Sequence, residues 1–173
     1  MRLRRLELKD APLMLEWMHD SFVVRNLKCN FGSKTISDCE KFINDSYTDK
    51  KNLHLAIDLN GEYMGTVSLK NIEKGRAEFA IVIRKSAMGK GISKYAMEEI
   101  IRIGFYELNL NLIYWYVDPV NERAIRFYDK NNYKRITSDF LTEEKNDSCN
   151  QKEVKQYVWY KVNRKNEQKE DVL

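Results

Sequence analysis

The sequence predicts an α/β fold: a mixed, mostly antiparallel sheet of six to seven strands flanked by about four helices. Three observations predict it. Two short turns, Asn60-Gly61 and Lys74-Gly75, join three consecutive strand-like runs, which makes those strands antiparallel. A glycine-spaced basic loop, residues 84–94, carries the third run into an amphipathic helical segment. Beyond that helix come an aromatic and β-branched run, a short helix and two further strand-like runs, so helices cross over the faces of the sheet.

The elements follow in order. Leu3 to Leu8 alternates apolar and polar residues and reads as a first strand. Asp10 then precedes Ala11-Pro12, an N-cap with proline in the first turn, and Leu13, Met14, Trp17 and Met18 keep helical spacing to about Asp20. Residues 26–35 read as a loop. Ser37-Asp38-Cys39-Glu40 fits a capping box ahead of Phe42, Ile43 and Tyr47, where this second helix ends. Leu53 to Leu59 is a strand, and Tyr63 to Leu69 returns beside it. Arg76 to Ile83 is the third strand, and its continuous apolar end, Phe79-Ala80-Ile81-Val82-Ile83, implies burial on both faces. Gly91 to Leu108 reads as a helix with Ile92, Tyr95, Ala96, Ile100 and Ile103 along one stripe. Leu112 to Val117 reads as a buried strand, broken by Asp118-Pro119. Asn121 to Lys130 is a short helix that stops at Asn131-Asn132, since asparagine tolerates the left-handed conformation. Tyr133 to Ile136 starts another strand, residues 142–152 form a polar loop, and Val154 to Val162 closes the sheet. Residues 1–162 are expected to form one domain, and the charged residues 163–173 a disordered tail.

Composition narrows the class. At 173 residues, 43% hydrophobic and 32% charged, the chain can bury a core of its own and suits a soluble protein. A net charge of +4 fits a polyanionic small ligand as well as it fits nucleic acid, but no aromatic-interleaved basic motif points to nucleic acid as a partner. No apolar run reaches membrane-span length, and no apolar signal core follows the basic N-terminal residues, so a cytoplasmic location and no membrane partner are expected. Cys29, Cys39 and Cys149 lack C-x-x-C spacing and only His19 and His54 could join them, so neither a disulfide framework nor a metal is expected.

The chemistry-bearing stretch is the loop. A strand, a glycine-spaced basic loop and a helix N-terminus together make a phosphate cradle, because the first helical N–H groups lack partners and carry partial positive charge. Gly89 and Gly91 remove side chains where backbone approaches a ligand, and Arg84, Lys85, Lys90 and Lys94 add charge. Alone, the two glycines serve equally well as a plain strand-to-helix turn. A second segment is more specific: Asn121-Glu122-Arg123-Ala124-Ile125-Arg126-Phe127-Tyr128 places Asn, Ala and Tyr at fixed helical offsets, with Tyr133 after the helix stop.

With Glu78 to Ile83, Gly89-Lys90-Gly91-Ile92 and Asn121 to Tyr133 in this order, the chain resembles the GNAT superfamily of acyl-CoA-dependent N-acetyltransferases. The likeness runs over residues 3–162 and is nearest to the branch of ribosomal-protein alanine, spermidine and nucleotide-amino-sugar acetyltransferases. Three positions depart from the family pattern: Ser86 for its usual Gln or Arg, Met88 for an aromatic, and Asn132 for the glycine helix stop.

The resemblance implies acetyl-CoA as acyl donor, no metal, an amine acceptor as the other partner, and room for a homodimer. It implies that the amides of Met88, Gly89, Lys90, Gly91, Ile92 and Ser93 hold the pyrophosphate, with Arg126 in the same cofactor-binding set. Backbone groups of Ile81, Val82 and Ile83 would meet the pantetheine arm. Asn121 would bond the pantetheine or simply cap its helix. Tyr128 would protonate the departing thiolate, or else pack in the core beside Phe127 and Tyr133. Glu78 is the carboxylate candidate for deprotonating the amine, against a purely structural pairing with Arg76 or a lysine. Asp118 is more simply a turn residue, and His54 a strand residue. Trp17, Tyr47, Trp159 and Tyr160 would line the acceptor pocket or belong to the core. The implied reaction is direct acetyl transfer from acetyl-CoA to a primary amine, a small molecule or a protein N-terminus. The alternative is a non-catalytic acyl-CoA-binding module.

Overall fold

The computed structural model describes residues 1–27, 29–137 and 156–164. Seven strands form one sheet: β1 (Arg2–Arg5), β2 (Leu53–Leu59), β3 (Glu62–Glu73), β4 (Arg76–Ile83), β5 (Leu112–Val117), β6 (Arg135–Ile136) and β7 (Val158–Asn163), in spatial order β1-β2-β3-β4-β5-β7-β6. Every neighbouring pair is antiparallel except β4 and β5. Five helices are described: α1 (Ala11–His19), α2 (Ser21–Val24), α3 (Ile36–Ser46), α4 (Ile92–Tyr106) and α5 (Glu122–Lys130). The mixed, mostly antiparallel architecture is the expected one, with one helix more than anticipated.

Two cores lie on opposite faces of the sheet. Leu6, Met14, Trp17, Cys39, Ile43 and Tyr63 pack α1 and α3 on one face. Ile92, Ala96, Met97, Ile100, Tyr128, Phe79 and Trp115 belong to the core under α4 and α5 on the other. α4 approaches closely because Gly104 has no side chain; a Cβ there would sit 2.7 Å from Ile113 Cδ1.

The turns behave as their residues require. Asn60 and Gly61 both take positive φ, 55° and 89°, which matches the twist of a two-residue hairpin. β2 and β3 carry a bulge at Ile57/Asp58, so Met64 has no counterpart on β2, while on the β4 side its carbonyl accepts from the Arg84 N–H at 2.9 Å. Gly65 lets β3 pass close to β4, where a Cβ would lie 2.2 Å from the Val82 oxygen.

Several boundaries differ from expectation, each for a local reason. The first strand ends at Arg5 rather than Leu8, because Glu7 to Asp10 turns into a single 3-10 turn closed by the Glu7 N–H donating to the Asp10 carboxylate. Asp10 does not cap α1 with its side chain: its oxygens accept from Arg4 at 2.7 and 2.8 Å. The capping box of α3 is Thr35 and Asp38, not Ser37 and Glu40, with Asp38 in the role usually given to Glu. β3 runs past Leu69 to Glu73, with an irregularity in its pairing to β4 after Lys70, where Asn71 takes φ 52°. The strand expected at Tyr133 begins only at Arg135: Asn132 is left-handed at φ 62°, and the Tyr133 N–H closes the helix end by donating to the Tyr128 carbonyl. The end of β4 is not buried on both faces, since Ala80, Ile81 and Val82 are half-buried. The expected loop at 142–152, the start of the last strand at Val154 and most of the 163–173 tail lie outside the described residues.

A buried charge network ties β1 to β2. Arg4 donates to Asp58 at 2.7 Å as well as to Asp10. The hydrogen bond from Arg4, and further from the Gly61 N–H, holds the Asp58 carboxyl below its ordinary 3.8. A depressed folded pKa contributes stability that is complete above 3.8 and lost as the pH falls through the lower folded value. The midpoint of urea unfolding is therefore expected to fall below about pH 4, and Asp58→Asn to flatten that slope while lowering stability at neutral pH. A pH series of urea melts on both proteins checks this; an Asp58→Asn slope equal to that of the unchanged protein would contradict it.

Candidate active site

The central feature is a gap in the sheet. β4 and β5 pair only at Arg76↔Leu112, Ala77↔Ile113 and Glu78↔Tyr114. From Phe79 onward β4 pairs with β3 alone, and from Trp115 onward β5 pairs with β7 alone. The two parallel strands thus part after Glu78 and Tyr114, and backbone polar groups along Phe79–Ile83 face the opening. That explains the half-buried Ile81 and Val82, while Ile83 is buried in the core under α4. An extended amide chain entering this gap could pair with β4 as an added strand.

At the open end β4 runs into the loop. A short 3-10 turn, Lys85–Ala87, leads to Met88, and Gly89 and Gly91 both take left-handed φ, 76° and 75°. A Cβ at either glycine would meet nothing within 4 Å. The glycines are required by conformation, then, and they border open space. Ile92 is buried in the core and anchors the start of α4, while Gly89, Lys90 and Gly91 are exposed. Gly91 is the N-cap of α4 and supplies no side-chain cap, so the first-turn N–H groups, including those of Ile92 and Ser93, remain available to an anion.

The basic residues of the loop do not act alike. Arg84 is buried and belongs to the scaffold, donating to Glu16 at 2.9 Å, to Glu62 at 2.6 Å and to the Tyr63 carbonyl at 3.0 Å. Lys94 lies 3.8 Å from Glu98. Lys85 stands over the ring of Phe22 on α2, 5.4 Å from its centroid, with Arg25 at 4.5 Å and Arg123 at 5.6 Å. Arg123 also donates to the Met88 sulfur at 2.9 Å, which ties α5 to the loop. None of Arg25, Lys85 and Arg123 has a carboxylate partner among the described residues, so positive potential gathers beside the loop.

α5 crosses near the gap. Asn121 is its N-cap, accepting from the Ala124 N–H at 3.2 Å, so the capping role is filled while its Nδ2 has no partner among the described residues. Arg126 is exposed and pairs with Glu122 at 3.2 Å, away from the loop contacts made by Arg123. Tyr128 is 6% exposed, its ring centroid 5.2 Å from each of Trp115, Phe127 and Tyr160. Its hydroxyl has no hydrogen-bond partner among the described residues. Burial, followed by the neighbouring Tyr160 and Tyr133 hydroxyls, pushes this phenol well above its ordinary 10.0, so it stays protonated at neutral pH.

Glu78 sits at the apex, in the last pair before the strands part. It is bound by Lys70 at 2.7 Å and by Asn71 at 3.3 Å, so of the structural pairings with Arg76 or a lysine it is the one with a lysine that forms. His54 is engaged with Ser68 at 2.8 Å on the far side of β3. Of the aromatics considered for an acceptor pocket, Trp17, Trp159 and Tyr160 are core residues and Tyr47 is exposed, its hydroxyl donating to the Leu6 carbonyl at 2.5 Å. Sequence reasoning did not single out Phe22, which lies under the three cations beside the loop and whose short helix is capped by Asp20 accepting from the Phe22 N–H.

Residues 1–134 match the family model described as an acetyltransferase (GNAT) domain. An uncharacterized N-acetyltransferase, p20, of Bacillus licheniformis is 29% identical over 139 residues, 77% of this chain and 78% of that protein. Spermidine N(1)-acetyltransferase of Escherichia coli is 37% identical over 84 residues, which is 47% of this chain and 45% of that one. Among solved structures, spermidine N-acetyltransferase from Vibrio cholerae in complex with CoA and spermine superposes with a TM-score of 0.73 at 20% identity, covering 94% of both chains. Campylobacter jejuni PseH in complex with acetyl coenzyme A gives 0.64 at 16% identity, covering 95% of this chain and 99% of that one. At these identities the solved structures speak for the fold.

Proposed function

The chain belongs to the GNAT acetyltransferases, and on that premise we propose that the gap between β4 and β5 receives acetyl-CoA for direct attack by an amine held in the same complex. The protein is an N-acetyltransferase that moves an acetyl group from acetyl-CoA to a primary amine. The observation that carries the site reading is the parting of β4 and β5 after Glu78 and Tyr114, with a left-handed glycine loop at its mouth and a protonated tyrosine on the helix beside it.

In this reading the amides from Met88 to Ser93 bind the pyrophosphate, and the backbone of Ile81, Val82 and Ile83 pairs with the pantetheine amides. Asn121 Nδ2 is free to donate to the same arm. The amine nitrogen bonds to the thioester carbon, the carbon–sulfur bond breaks, and the thiolate takes the Tyr128 proton. General-acid help of this kind is worth about 10²–10⁴-fold. The amine attacks only when neutral, and its proton leaves to Glu78 or to solvent. Lys70 and Asn71 fix the Glu78 side chain at the point where the strands part. Arg126, exposed and paired with Glu122, contributes charge at long range rather than contact.

The unpaired cations Arg25, Lys85 and Arg123 favour an anionic cofactor and disfavour a polycationic acceptor. We expect an amine without several positive charges, such as a nucleotide-linked amino sugar, to be acetylated faster than spermidine. A free-thiol release assay with acetyl-CoA against polyamines, amino sugars, aminoglycosides and peptide N-termini tests this. Spermidine outpacing every other amine would reverse the acceptor preference. Absence of thiol release with every amine in the panel, alongside a melt stabilised by acetyl-CoA, would favour the binding-module alternative, which no observation otherwise supports.

A further inference from the structure

Three exposed cations meet over one ring beside the loop. The charged heads of Arg25, Lys85 and Arg123 all lie within 5.6 Å of the Phe22 centroid, although they come from α2, from the loop and from α5. Like charges repel, so exposed side chains that could point into water converge only against a cost. The acidic side chains of the neighbouring segments do not offset it. Asp20 accepts from the Phe22 N–H, Glu122 binds Arg126, and Glu16 and Glu62 bind Arg84. Arg4 and Arg102, by contrast, hold carboxylates at 2.7 and 2.8 Å.

Phe22 gathers the charges while leaving their donors open. A cation over an aromatic face is held by the ring's quadrupole, not through its N–H groups. Among the described residues the three side chains make one hydrogen bond, from Arg123 to the Met88 sulfur at 2.9 Å. Guanidinium and ammonium donors left in this state suit a phosphate, whose oxygens accept from several at once.

The place of the cluster points to one phosphate. Lys85 follows closely on the end of β4 at Ile83, and Arg123 lies in the first turn of α5, the element after β5. The chain thus leaves both walls of the gap and meets again at its mouth, with Phe22 joining from α2. Met88, to which Arg123 is bonded, begins the run of loop amides assigned to the pyrophosphate. CoA carries a second dianion, the 3′-phosphate, on the same ribose that bears the pyrophosphate at its 5′ carbon. Covalent geometry brings that group next to whatever holds the pyrophosphate.

We propose that Arg25, Lys85 and Arg123, collected by Phe22, bind the 3′-phosphate of CoA and select acyl donors that carry it. This rests on reading the gap as the acetyl-CoA site. The loop amides meet a pyrophosphate that 3′-dephospho-CoA shares, so they do not tell the two apart. The cluster does, because loss of the 3′-phosphate leaves its positive charges together without an anion. It also separates a free CoA thioester from a phosphopantetheine thioester on a carrier protein, which has no adenosine.

Calorimetric titration with CoA and with 3′-dephospho-CoA tests this. The unchanged protein is expected to bind CoA about 10–100-fold more tightly, the worth of one hydrogen bond to a charged group. The double variant Arg25→Gln, Lys85→Gln alters two exposed side chains that make no hydrogen bond or ion pair among the described residues, so its fold is expected to persist. Its preference for CoA is expected to shrink at least about tenfold, with the affinity for 3′-dephospho-CoA nearly unchanged. Equal affinities in the unchanged protein overturn the proposal, as does a preference that survives in the variant. A variant that loses affinity for both ligands equally also overturns it, since the cations would then serve the pyrophosphate. If the variant does not fold, the two affinities of the unchanged protein decide. Failure of both ligands to bind the unchanged protein would instead remove the cofactor site itself.

Discussion

Replacing Tyr128 by phenylalanine is expected to lower kcat by more than tenfold, toward the ~10²–10⁴-fold range of general-acid catalysis, with KM for acetyl-CoA little changed. The substitution deletes one oxygen from a ring whose packing is set by Trp115, Phe127, Tyr133 and Tyr160. The deleted hydroxyl has no partner among the described residues, so no other protein group is stranded and the fold is expected to melt near the unchanged temperature. A structural tyrosine would show the reverse, with stability lost and turnover kept. The pH profile adds a second readout. Because burial raises the Tyr128 pKa, the acid form persists through the range in which the amine loses its proton, so kcat is expected to climb with pH until the amine is neutral. Undiminished kcat in Tyr128→Phe would remove this residue from the mechanism.

Gly89→Val is expected to weaken acetyl-CoA binding by at least about tenfold while leaving the fold intact. Gly89 is at φ 76°, a conformation that a β-branched residue adopts only under strain of roughly 1–2 kcal/mol. Each 1.4 kcal/mol is a factor of ten in a dissociation constant, and binding requires the loop in this shape. A side chain built at Gly89 also projects into open space at the mouth of the gap, where the pyrophosphate is placed. Because the loop is exposed and Ile92 still anchors α4, the melt without ligand should change little. Calorimetric titration with acetyl-CoA checks this, and normal affinity in Gly89→Val would mean that the anion lies elsewhere.

Much of this was legible in the chain because the informative residues are conformational. Asn60-Gly61 and Lys74-Gly75 announce the three-stranded meander, Gly89 and Gly91 the left-handed loop, and Asn132 the left-handed helix stop, since few residues tolerate positive φ. The segment from Asn121 to Tyr133 is similarly readable, its cap and its stop both falling where the side chains permit. What stayed hidden depends on partners distant in sequence. Nothing local says that Arg84, seated in a basic loop, is claimed by Glu16 and Glu62, or that Asp10 serves Arg4 instead of capping α1. The length of the β4–β5 pairing cannot be read from two apolar runs either, yet it creates the gap.

The most direct test of the central claim is a crystal structure of the protein with acetyl-CoA. The pantetheine arm is expected to lie between β4 and β5, hydrogen-bonded to the backbone of Ile81 to Ile83, with the pyrophosphate on the amides of Met88 to Ser93. The thioester sulfur should then fall within about 3.5 Å of the Tyr128 hydroxyl, close enough to receive its proton as the thiolate leaves. A cofactor bound outside this gap, or a thioester seated in it with the Tyr128 hydroxyl turned away and out of reach, would contradict the account.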